Sequence, residues 1–368
     1  MRFSSIEIHD FRNISSASAS SDSEDIVLVG TNGQGKTSFL EAVYMLCYGS
    51  SFRTPHLREA VMHGKPGFSI SAEFEDEGFR ERITTSYIEG KRRIAIDGKE
   101  VKDRKDLIYR FPCIAFIHED IGFIKGEPEE RRRFFDQMMS LHSPFFFDDS
   151  RSYRAVLMQR NAAVKTGDRS LISLYNGRLA SYGLEIMKAR AEAVYEFNRI
   201  FPSLFRKISG LDMDLEIRYQ PSWAGMEDAE DISGYLEENT ERDIILKTTT
   251  SGVHRDRFTV MSPMGPFQSI GSTGQIRLCS IIFRIAEAEY FRKMTGRKPI
   301  LLIDDVLLEL DDVKRARVLS SLEGYSQAFY TFLPRESYFG DNDHALYYDV
   351  EGGNIRKRAE YEGSGADK

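Results

Sequence analysis

The sequence has few cysteines and no long apolar run. Its cysteines, Cys47, Cys113 and Cys279, are far apart and form no Cys-x-x-Cys pair, which argues against a zinc site or a disulfide framework. No apolar stretch approaches the roughly 20 residues that cross a bilayer, and charges interrupt the N-terminus at once. We therefore expect a cytoplasmic protein in a reducing compartment, without a membrane partner.

An excess of positive charge is also missing, because 57 acidic residues outweigh 50 basic ones and give a net charge of −7. This balance alone argues weakly against a nucleic-acid partner. A local basic surface can still bind phosphates on an acidic protein, since salt screens charges over about 8–10 Å. Any nucleic-acid contact must therefore be argued from local clusters. The length of 368 residues allows one to three domains.

A glycine-rich loop follows the apolar segment 25–29 and matches the phosphate-binding pattern G-x-x-x-x-G-K-[ST] in full. Its glycines let the backbone approach phosphate oxygens, and N–H groups at the following helix start cradle the β-phosphate. The Lys36 ammonium is suited to the β- and γ-phosphates and the Thr37 hydroxyl to Mg²⁺. A chance glycine turn is the weaker interpretation. The residues predicted to contact ATP here are Gly30, Asn32, Gly33, Gln34, Gly35, Lys36, Thr37 and Ser38.

A second motif is the apolar strand 300–303, which ends directly in Asp304 and Asp305. At the carboxyl end of a parallel strand, Asp304 is placed to hold Mg²⁺ through water, and Asp305 to orient and deprotonate the attacking water. The alternative is a strand-terminal turn with two solvated carboxylates. We expect Lys36 and Asp305 to be the catalytic residues, and Thr37 and Asp304 to be the metal ligands.

More than half of the chain separates the two motifs, which is the layout of P-loop NTPases with a split ABC-type ATPase head. The chain becomes helical from about Pro128. We therefore predict an α/β fold whose head comprises residues 1–125 and 245–368. A mainly helical lobe is predicted at 126–244.

Two segments have simple local interpretations. The serine-rich stretch 15–23 is typical of a solvated turn. The apolar spacing over residues 169–207 predicts one long helix.

A third element of ABC-type ATPases, a Ser-x-Gly-Gln signature that opens a helix, is present as Ser272, Gly274 and Gln275. Such a helix start presents a hydroxyl, an N–H group and a helix dipole to a γ-phosphate. In this class it acts on the nucleotide of a second subunit, so the motif predicts a dimer that shares two ATP molecules. The alternative is a plain helix cap.

Three charged segments each have two possible roles. Residues 91–93 and 131–133 are basic clusters that either contact DNA phosphates or are solvated, with the second also able to pair with neighbouring glutamates. The solvated interpretation is favoured for residues 91–93, and neither is favoured for 131–133. Residues 308–311 are typical of the loop that crosses the dimer interface in this class, although Asp311 is equally suited to cap the next helix.

Taken together, these motifs resemble the RecF family of bacterial recombination mediators nearly end to end. The resemblance is carried by residues 6–13, the phosphate loop, and residues 49–54, 118–126, 131–136, 153–161, 251–256 and 304–306. It implies an ABC-type head, ATP- and Mg²⁺-dependent homodimerisation, and binding to duplex DNA near single-strand gaps. It also implies cooperation with RecR and RecO in loading RecA, with weak, DNA-stimulated ATP hydrolysis.

The chain departs from the family pattern at four positions. Ile276 replaces a Gln, Leu308 a Ser, Val253 a Pro and Arg257 an Asp. The groups that would touch phosphate are retained. A transporter subunit, another head-type ATPase and a binding module with an inert loop are the rival interpretations.

Overall fold

The computed structural model describes residues 1–76, 78–334 and 345–358. The chain divides into two compact units. The first comprises Met1–His118, Arg297–Arg315 and Leu322–Lys368, and the second comprises Glu119–Gly296 and Ala316–Ser321. The first unit is therefore assembled from separate chain segments. This confirms the predicted α/β fold with a split ATPase part and a helical insertion.

The strands of the described residues form three sheets. In chain order the strands are β1 (Arg2–Phe11), β2 (Ile14–Ser20), β3 (Asp25–Val29), β4 (Gly67–Asp76), β5 (Phe79–Ile88), β6 (Lys91–Ile96), β7 (Lys99–Glu100), β8 (Cys113–Phe116), β9 (Glu216–Gln220), β10 (Arg257–Ser262), β11 (Gly265–Pro266), β12 (Ile300–Ile303), β13 (Gln327–Phe332), β14 (Leu346–Glu351) and β15 (Asn354–Lys357). The first unit holds an antiparallel sheet in the order β2-β1-β4-β5-β6-β7 and a mixed sheet in the order β15-β14-β3-β13-β12-β8. The second unit holds the small sheet β11-β10-β9.

The helices lie mainly in the second unit. In chain order they are α1 (Lys36–Tyr48), α2 (Arg104–Arg110), α3 (Gly122–Lys125), α4 (Pro128–Ser140), α5 (Pro144–Thr166), α6 (Arg169–Asn198), α7 (Phe201–Ser209), α8 (Ala229–Glu238), α9 (Thr240–Leu246), α10 (Phe267–Ile270), α11 (Thr273–Thr295) and α12 (Asp312–Leu319). Within the described ranges, none of these helices combines the length and apolar character needed to span a membrane.

The carboxyl ends of the parallel strands meet at one edge of the mixed sheet. Strands β3, β13, β12 and β8 run in the same direction. Just beyond them, the Gly30 N–H donates to the Phe332 carbonyl at 3.1 Å and the Asp304 N–H donates to the Phe116 carbonyl at 3.0 Å. The loop after β3 and the acids after β12 therefore emerge at the same edge, separated only by β13.

Helix α1 packs in a core that both sheets of the first unit share. Its fully buried Phe39 and Leu40 belong to one hydrophobic cluster with Phe3 of β1, Leu28 of β3 and Leu302 of β12. Burying a side chain of this size stabilises a fold by about 1.5–3 kcal/mol. The core therefore holds the helix, and with it the preceding glycine loop, in a defined position.

The prediction of a solvated turn over residues 15–23 was wrong. Most of this stretch is β2, which pairs antiparallel with β1. Ala17 and Ala19 face the core while Ser16, Ser18 and Ser20 are exposed, so the small residues alternate as a strand requires. Local turn preference is weak compared with pairing and burial, and here β1 offers a strand partner.

The predicted single helix over residues 169–207 is broken into α6 and α7. Pro202 lies in the first turn of α7, where its missing N–H costs nothing. In a continuous helix its ring would clash with the carbonyl of Asn198, four residues earlier, and α6 ends at Asn198.

The boundaries of the two units differ from those predicted at 125 and 245. Residues 245–296 group with the second unit because α11 belongs to its aromatic core. The ring of Phe283 on α11 lies 4.6 Å from that of Phe201 and 5.3 Å from that of Phe197. The Ser-x-Gly-Gln signature predicted the start of helix α11 but gave no sign of the core that the helix joins.

Candidate nucleotide-binding site

The glycine loop between β3 and α1 adopts backbone conformations that other residues avoid. Gly33 and Gly35 have φ values of 79° and 118°. A Cβ atom on Gly30 would lie 2.4 Å from the Val350 carbonyl oxygen. A left-handed backbone or a close backbone contact therefore explains the glycine at each of these three positions of the phosphate motif.

The Lys36 ammonium is held inside the loop. Its side chain is 3% exposed, and its Nζ donates to the carbonyls of Gly30 at 2.9 Å and Thr31 at 3.3 Å. The same atom lies 3.6 Å from the Asp305 carboxylate. A positive charge fixed between two backbone carbonyls and an acid is suited to a polyphosphate that reaches into the loop.

The two distant motifs meet at Thr37 and Asp304. The Thr37 hydroxyl donates to the Asp304 carboxylate at 2.9 Å, although the residues are 267 positions apart. Burial raises the pKa of Asp304 to about 6, while the Thr37 hydrogen bond opposes that rise. A hydroxyl and a buried carboxylate side by side form the hard oxygen donor set that Mg²⁺ prefers, and a cation there would favour the ionised acid. The donor set therefore fits the metal.

Asp305 is held in a left-handed conformation, with φ at 51°. Its N–H donates to the Thr331 hydroxyl at 2.8 Å, and that hydroxyl donates to the Asp305 carboxylate at 2.7 Å. The side chain remains 33% exposed, and its other carboxylate oxygen lies 3.6 Å from the Lys36 ammonium. A carboxylate fixed in this way is placed to accept a proton from a water molecule.

Sequence reasoning missed Thr331, which lies on β13 between the two motifs. Besides Asp305, its hydroxyl lies 3.2 Å from the Asp304 carboxylate. A single threonine in an apolar strand carries no motif. Only the strand order β3-β13-β12, which places β13 between the loop and the acids, could have indicated it.

The other predicted loop residues bond to neighbouring turns of the same unit. The Ser38 hydroxyl donates to the Asn13 side chain at 2.9 Å, and the Gln34 side chain accepts the Gly352 N–H at 2.6 Å. Asn32 is exposed on the loop. Asn13 and the β14–β15 turn at Gly352 were not predicted as part of the site, because neither belongs to a phosphate motif.

A buried acid on α1 joins two segments that carried the family resemblance. Glu41 is fully buried and accepts hydrogen bonds from Arg12 at 2.7 and 2.9 Å, from Ser51 at 2.6 Å and from Arg53 at 3.2 Å. A buried carboxylate of this kind is stable only when it is paired and hydrogen-bonded. It ties the β1–β2 turn and the segment after α1 to the helix that carries Lys36.

The signature residues open α11 in the second unit. The Ser272 hydroxyl accepts the Gln275 N–H at 3.3 Å, and the Gln275 side chain accepts the Ser272 N–H at 2.8 Å, so the pair forms a capping box. Gly274 is exposed, and a Cβ there would meet no atom within 4 Å. The hydrogen bonds therefore agree with the helix-cap interpretation. No packing contact within the described residues requires a glycine at position 274.

A buried ion pair anchors this helix. Arg284 of α11 donates to the Asp120 carboxylate at 2.7 and 3.0 Å and to the Glu287 carboxylate at 2.7 Å. The departure at Ile276 places a fully buried apolar side chain in the first turn of α11. The helix start is thus fixed by its own unit.

The two basic clusters have different surroundings. Arg131 donates to the Phe258 carbonyl at 3.2 Å and Arg132 to the Asp256 carbonyl at 2.9 Å, whereas Arg133 is exposed. Residues 91–93 are exposed on β6, and Arg92 donates to the Gly49 carbonyl at 2.7 Å. Arg131 and Arg132 therefore bind backbone carbonyls, which neither sequence interpretation anticipated.

The loop at residues 308–311 supports the capping interpretation. Asp311 accepts the Lys314 N–H at 2.9 Å at the start of α12, and Glu309 lies 3.0 Å from the His118 imidazole. A role at a dimer interface stays a prediction, and the two roles are compatible.

Comparison with known proteins gives consistent matches. The domain family described as "RecF/RecN/SMC N terminal domain" matches residues 2–339. The DNA replication and repair protein RecF of Treponema pallidum (strain Nichols) is 34% identical over 347 residues, which cover 93% of this chain and 98% of the relative. The protein of the same name from Leptospira interrogans serovar Lai is 33% identical over 331 residues, which cover 89% and 90%.

Solved structures give the same picture of the fold. The structure of the recombination mediator protein RecF-ATP in the RecFOR pathway has a TM-score of 0.87, with 27% identity, and covers 97% of this chain and 98% of that one. The Smc head bound to the C-winged helix domain of ScpA has a TM-score of 0.59 with 15% identity and covers 97% and 96%, so it shares the fold alone.

Proposed function

Because the chain belongs to the RecF family of ATPases with an SMC-like head, we propose that it is an ATP-dependent DNA-binding protein of recombinational repair. One observation carries the proposal: the loop around Lys36, the Thr37–Asp304 pair and the Asp305 carboxylate are assembled at one sheet edge. A triphosphate is the ligand that this combination of backbone N–H groups, ammonium and acids fits.

ATP is bound with its phosphates along residues 30–38. Thr37 and Asp304 would hold Mg²⁺, which neutralises charge on the β- and γ-phosphate oxygens when bound. Asp305 acts as the base for the attacking water, positioned by Thr331. An aspartate is one methylene shorter than the glutamate found in many ABC-type ATPases, so the water is held less closely. We therefore propose slow hydrolysis, with ATP acting mainly as a clamp between two copies.

A homodimer forms when a second copy brings its signature over the bound ATP. Exposure of Ser272 and the open space at Gly274 support this step, because a glycine there leaves room for a phosphate from outside the unit. The dimer binds duplex DNA at single-strand gaps and, with RecO and RecR, promotes RecA loading. These partners follow from family membership, as does stimulation of hydrolysis by DNA.

Gel filtration with and without ATP and Mg²⁺ tests the clamp. The chain is expected to elute as a monomer alone and as a dimer with ATP. Ser272→Arg should weaken ATP-dependent dimerisation about 100-fold, because its long side chain overpacks the interface at a cost of about 1–3 kcal/mol, and should leave ATP binding intact. Ser170→Arg, on an exposed turn of α6, is the matched control. Monomers under all conditions would favour a module with an inert loop.

Binding to duplex DNA should fall steeply with salt. Each neutralised phosphate lowers the logarithm of the binding constant with a slope of about −0.9 against the logarithm of salt concentration. Fluorescence anisotropy of a labelled duplex over a salt series, with ATP and Mg²⁺ present, measures this slope. A flat response contradicts binding through the phosphate backbone.

A further inference from the structure

The segment 251–256 in the second unit contains one turn of 3₁₀ helix at Val253–Arg255 and has no part in the ATP site described above. Its Asp256 is 1% exposed and accepts hydrogen bonds from the Tyr219 hydroxyl at 2.5 Å, the Ser222 N–H at 2.7 Å and the Arg190 guanidinium at 2.8 Å. Three donors on one buried carboxylate fix the end of the loop.

A second anchor lies two residues earlier at His254. Its Nε2 donates to the Thr249 carbonyl at 3.1 Å, which leaves Nδ1 to accept the Tyr153 hydroxyl at 2.8 Å. Burial lowers the pKa of His254 to about 4, so the ring is neutral near pH 7. Gly252 has a φ of 136°, and a Cβ there would lie 2.4 Å from the Tyr153 hydroxyl oxygen. The inward-facing side of the loop is thus closely packed against Tyr153 and Thr249.

The residues that alternate with these anchors face outward. Arg255 and Arg257 are exposed, while His254 and Asp256 point inward. Within the described ranges of the chain, neither of the two exposed arginines forms an ion pair with a carboxylate. Arg255 makes one long hydrogen bond, 3.4 Å to the Thr249 carbonyl. Most of their N–H donors are therefore available to an external acceptor.

Helix α4 brings two more guanidinium groups to the same surface. Because Arg132 donates to the Asp256 carbonyl and Arg131 to the Phe258 carbonyl, the start of α4 lies along the backbone that carries Arg257. The pKa of Arg131 is lowered, first by burial; Glu127 opposes that lowering, and the neighbouring Arg257 adds to it. A phosphate bound between Arg131 and Arg257 would offset the repulsion between these two guanidinium groups.

We propose that Arg255 and Arg257, backed by Arg131 and Arg132, form a docking surface for the phosphate backbone of duplex DNA. The proposal rests on the DNA-binding function proposed above and assigns DNA binding to these arginines. Guanidinium forks match phosphate oxygens in pairs, and a loop held by buried anchors loses little entropy on binding. Contacts of this kind carry no base readout, as binding to gaps of any sequence requires.

The test compares DNA affinity of the full-length parent with that of Arg255→Gln/Arg257→Gln. A labelled duplex oligonucleotide is titrated with each protein in ATP and Mg²⁺, over a salt series. Loss of two phosphate contacts should weaken binding at least about tenfold and reduce the steepness of the salt slope by about 2. Lys91→Gln/Arg93→Gln removes the same charge from β6 and should bind as the parent does.

Further readouts separate the possible outcomes. Arg255→Lys/Arg257→Lys should retain most of the affinity, and ATP-dependent dimerisation should be unchanged in both arginine variants. Parental DNA affinity in Arg255→Gln/Arg257→Gln overturns the docking surface and leaves the repair function standing. If Arg255→Gln/Arg257→Gln loses binding to labelled polyglutamate but keeps its DNA affinity, the surface binds an acidic protein. That result also overturns the DNA-docking proposal. A parent that binds no DNA overturns both proposals.

Discussion

Asp305→Asn is expected to slow ATP hydrolysis at least about 100-fold and to turn the ATP-bound dimer into a persistent species. Positioned general bases contribute about 10²- to 10⁴-fold to a rate, and asparagine cannot accept the proton. ATP binding should be retained, because Lys36 and the glycine loop are untouched. Phosphate release in single-turnover conditions measures the rate, and gel filtration after incubation with ATP measures dimer lifetime.

The substitution is well matched to the local structure. Asparagine has the shape of aspartate and tolerates the left-handed backbone that Asp305 adopts, so little strain is added. Its amide oxygen can still accept the Thr331 hydroxyl, which donates to Asp305 at 2.7 Å. A loss of rate therefore reports on the carboxylate and not on a displaced strand end.

Asp305→Glu is the informative companion variant. If the short side chain limits hydrolysis, the added methylene should raise the rate and shorten the life of the dimer. Hydrolysis by Asp305→Asn at the parental rate would show that another group activates the water. The proposal that slow hydrolysis keeps the dimer closed would then require a different catalytic base.

The sequence predicted the parts of the site that short motifs encode. An apolar strand, a glycine loop and a helix start follow one another in the chain, so their geometry is local. The meeting of Thr37 and Asp304 was predictable for a different reason: both follow buried strands, and the carboxyl ends of parallel strands share an edge. Neither inference required knowledge of the strand order.

The supporting contacts could not be predicted, because each depends on which strand or turn lies next to the motif. Thr331 reaches the acids only since β13 lies between β3 and β12. Asn13 and Gly352 bond to the loop from turns far away in the chain. The boundary at 296 was missed for the same reason, as the partners of α11 are aromatic residues brought together by tertiary packing.

Lys36→Ala is expected to lower ATP affinity at least about 100-fold and to abolish the ATP-dependent dimer. A charge-assisted hydrogen bond contributes up to about 3 kcal/mol, and losing that amount weakens binding roughly 150-fold. Equilibrium binding of a fluorescent ATP analogue measures the affinity. Lys99→Ala, which removes an exposed lysine on β7, is the matched control and should bind as the parent does.

Lys36 also stabilises the glycine loop itself. The effect of Lys36→Ala on folding must therefore be separated from its effect on ATP affinity. Its ammonium satisfies the carbonyls of Gly30 and Thr31, and those acceptors lose a buried donor in the alanine variant. Thermal unfolding in the absence of nucleotide separates the two effects: a small fall in midpoint beside a large loss of affinity assigns the lysine mainly to phosphate binding. Parental ATP affinity would show that the loop, although correctly formed, is not where the triphosphate binds. The metal pair at Thr37 and Asp304 would then also lose its proposed role, because it is placed to act on phosphates held by that loop.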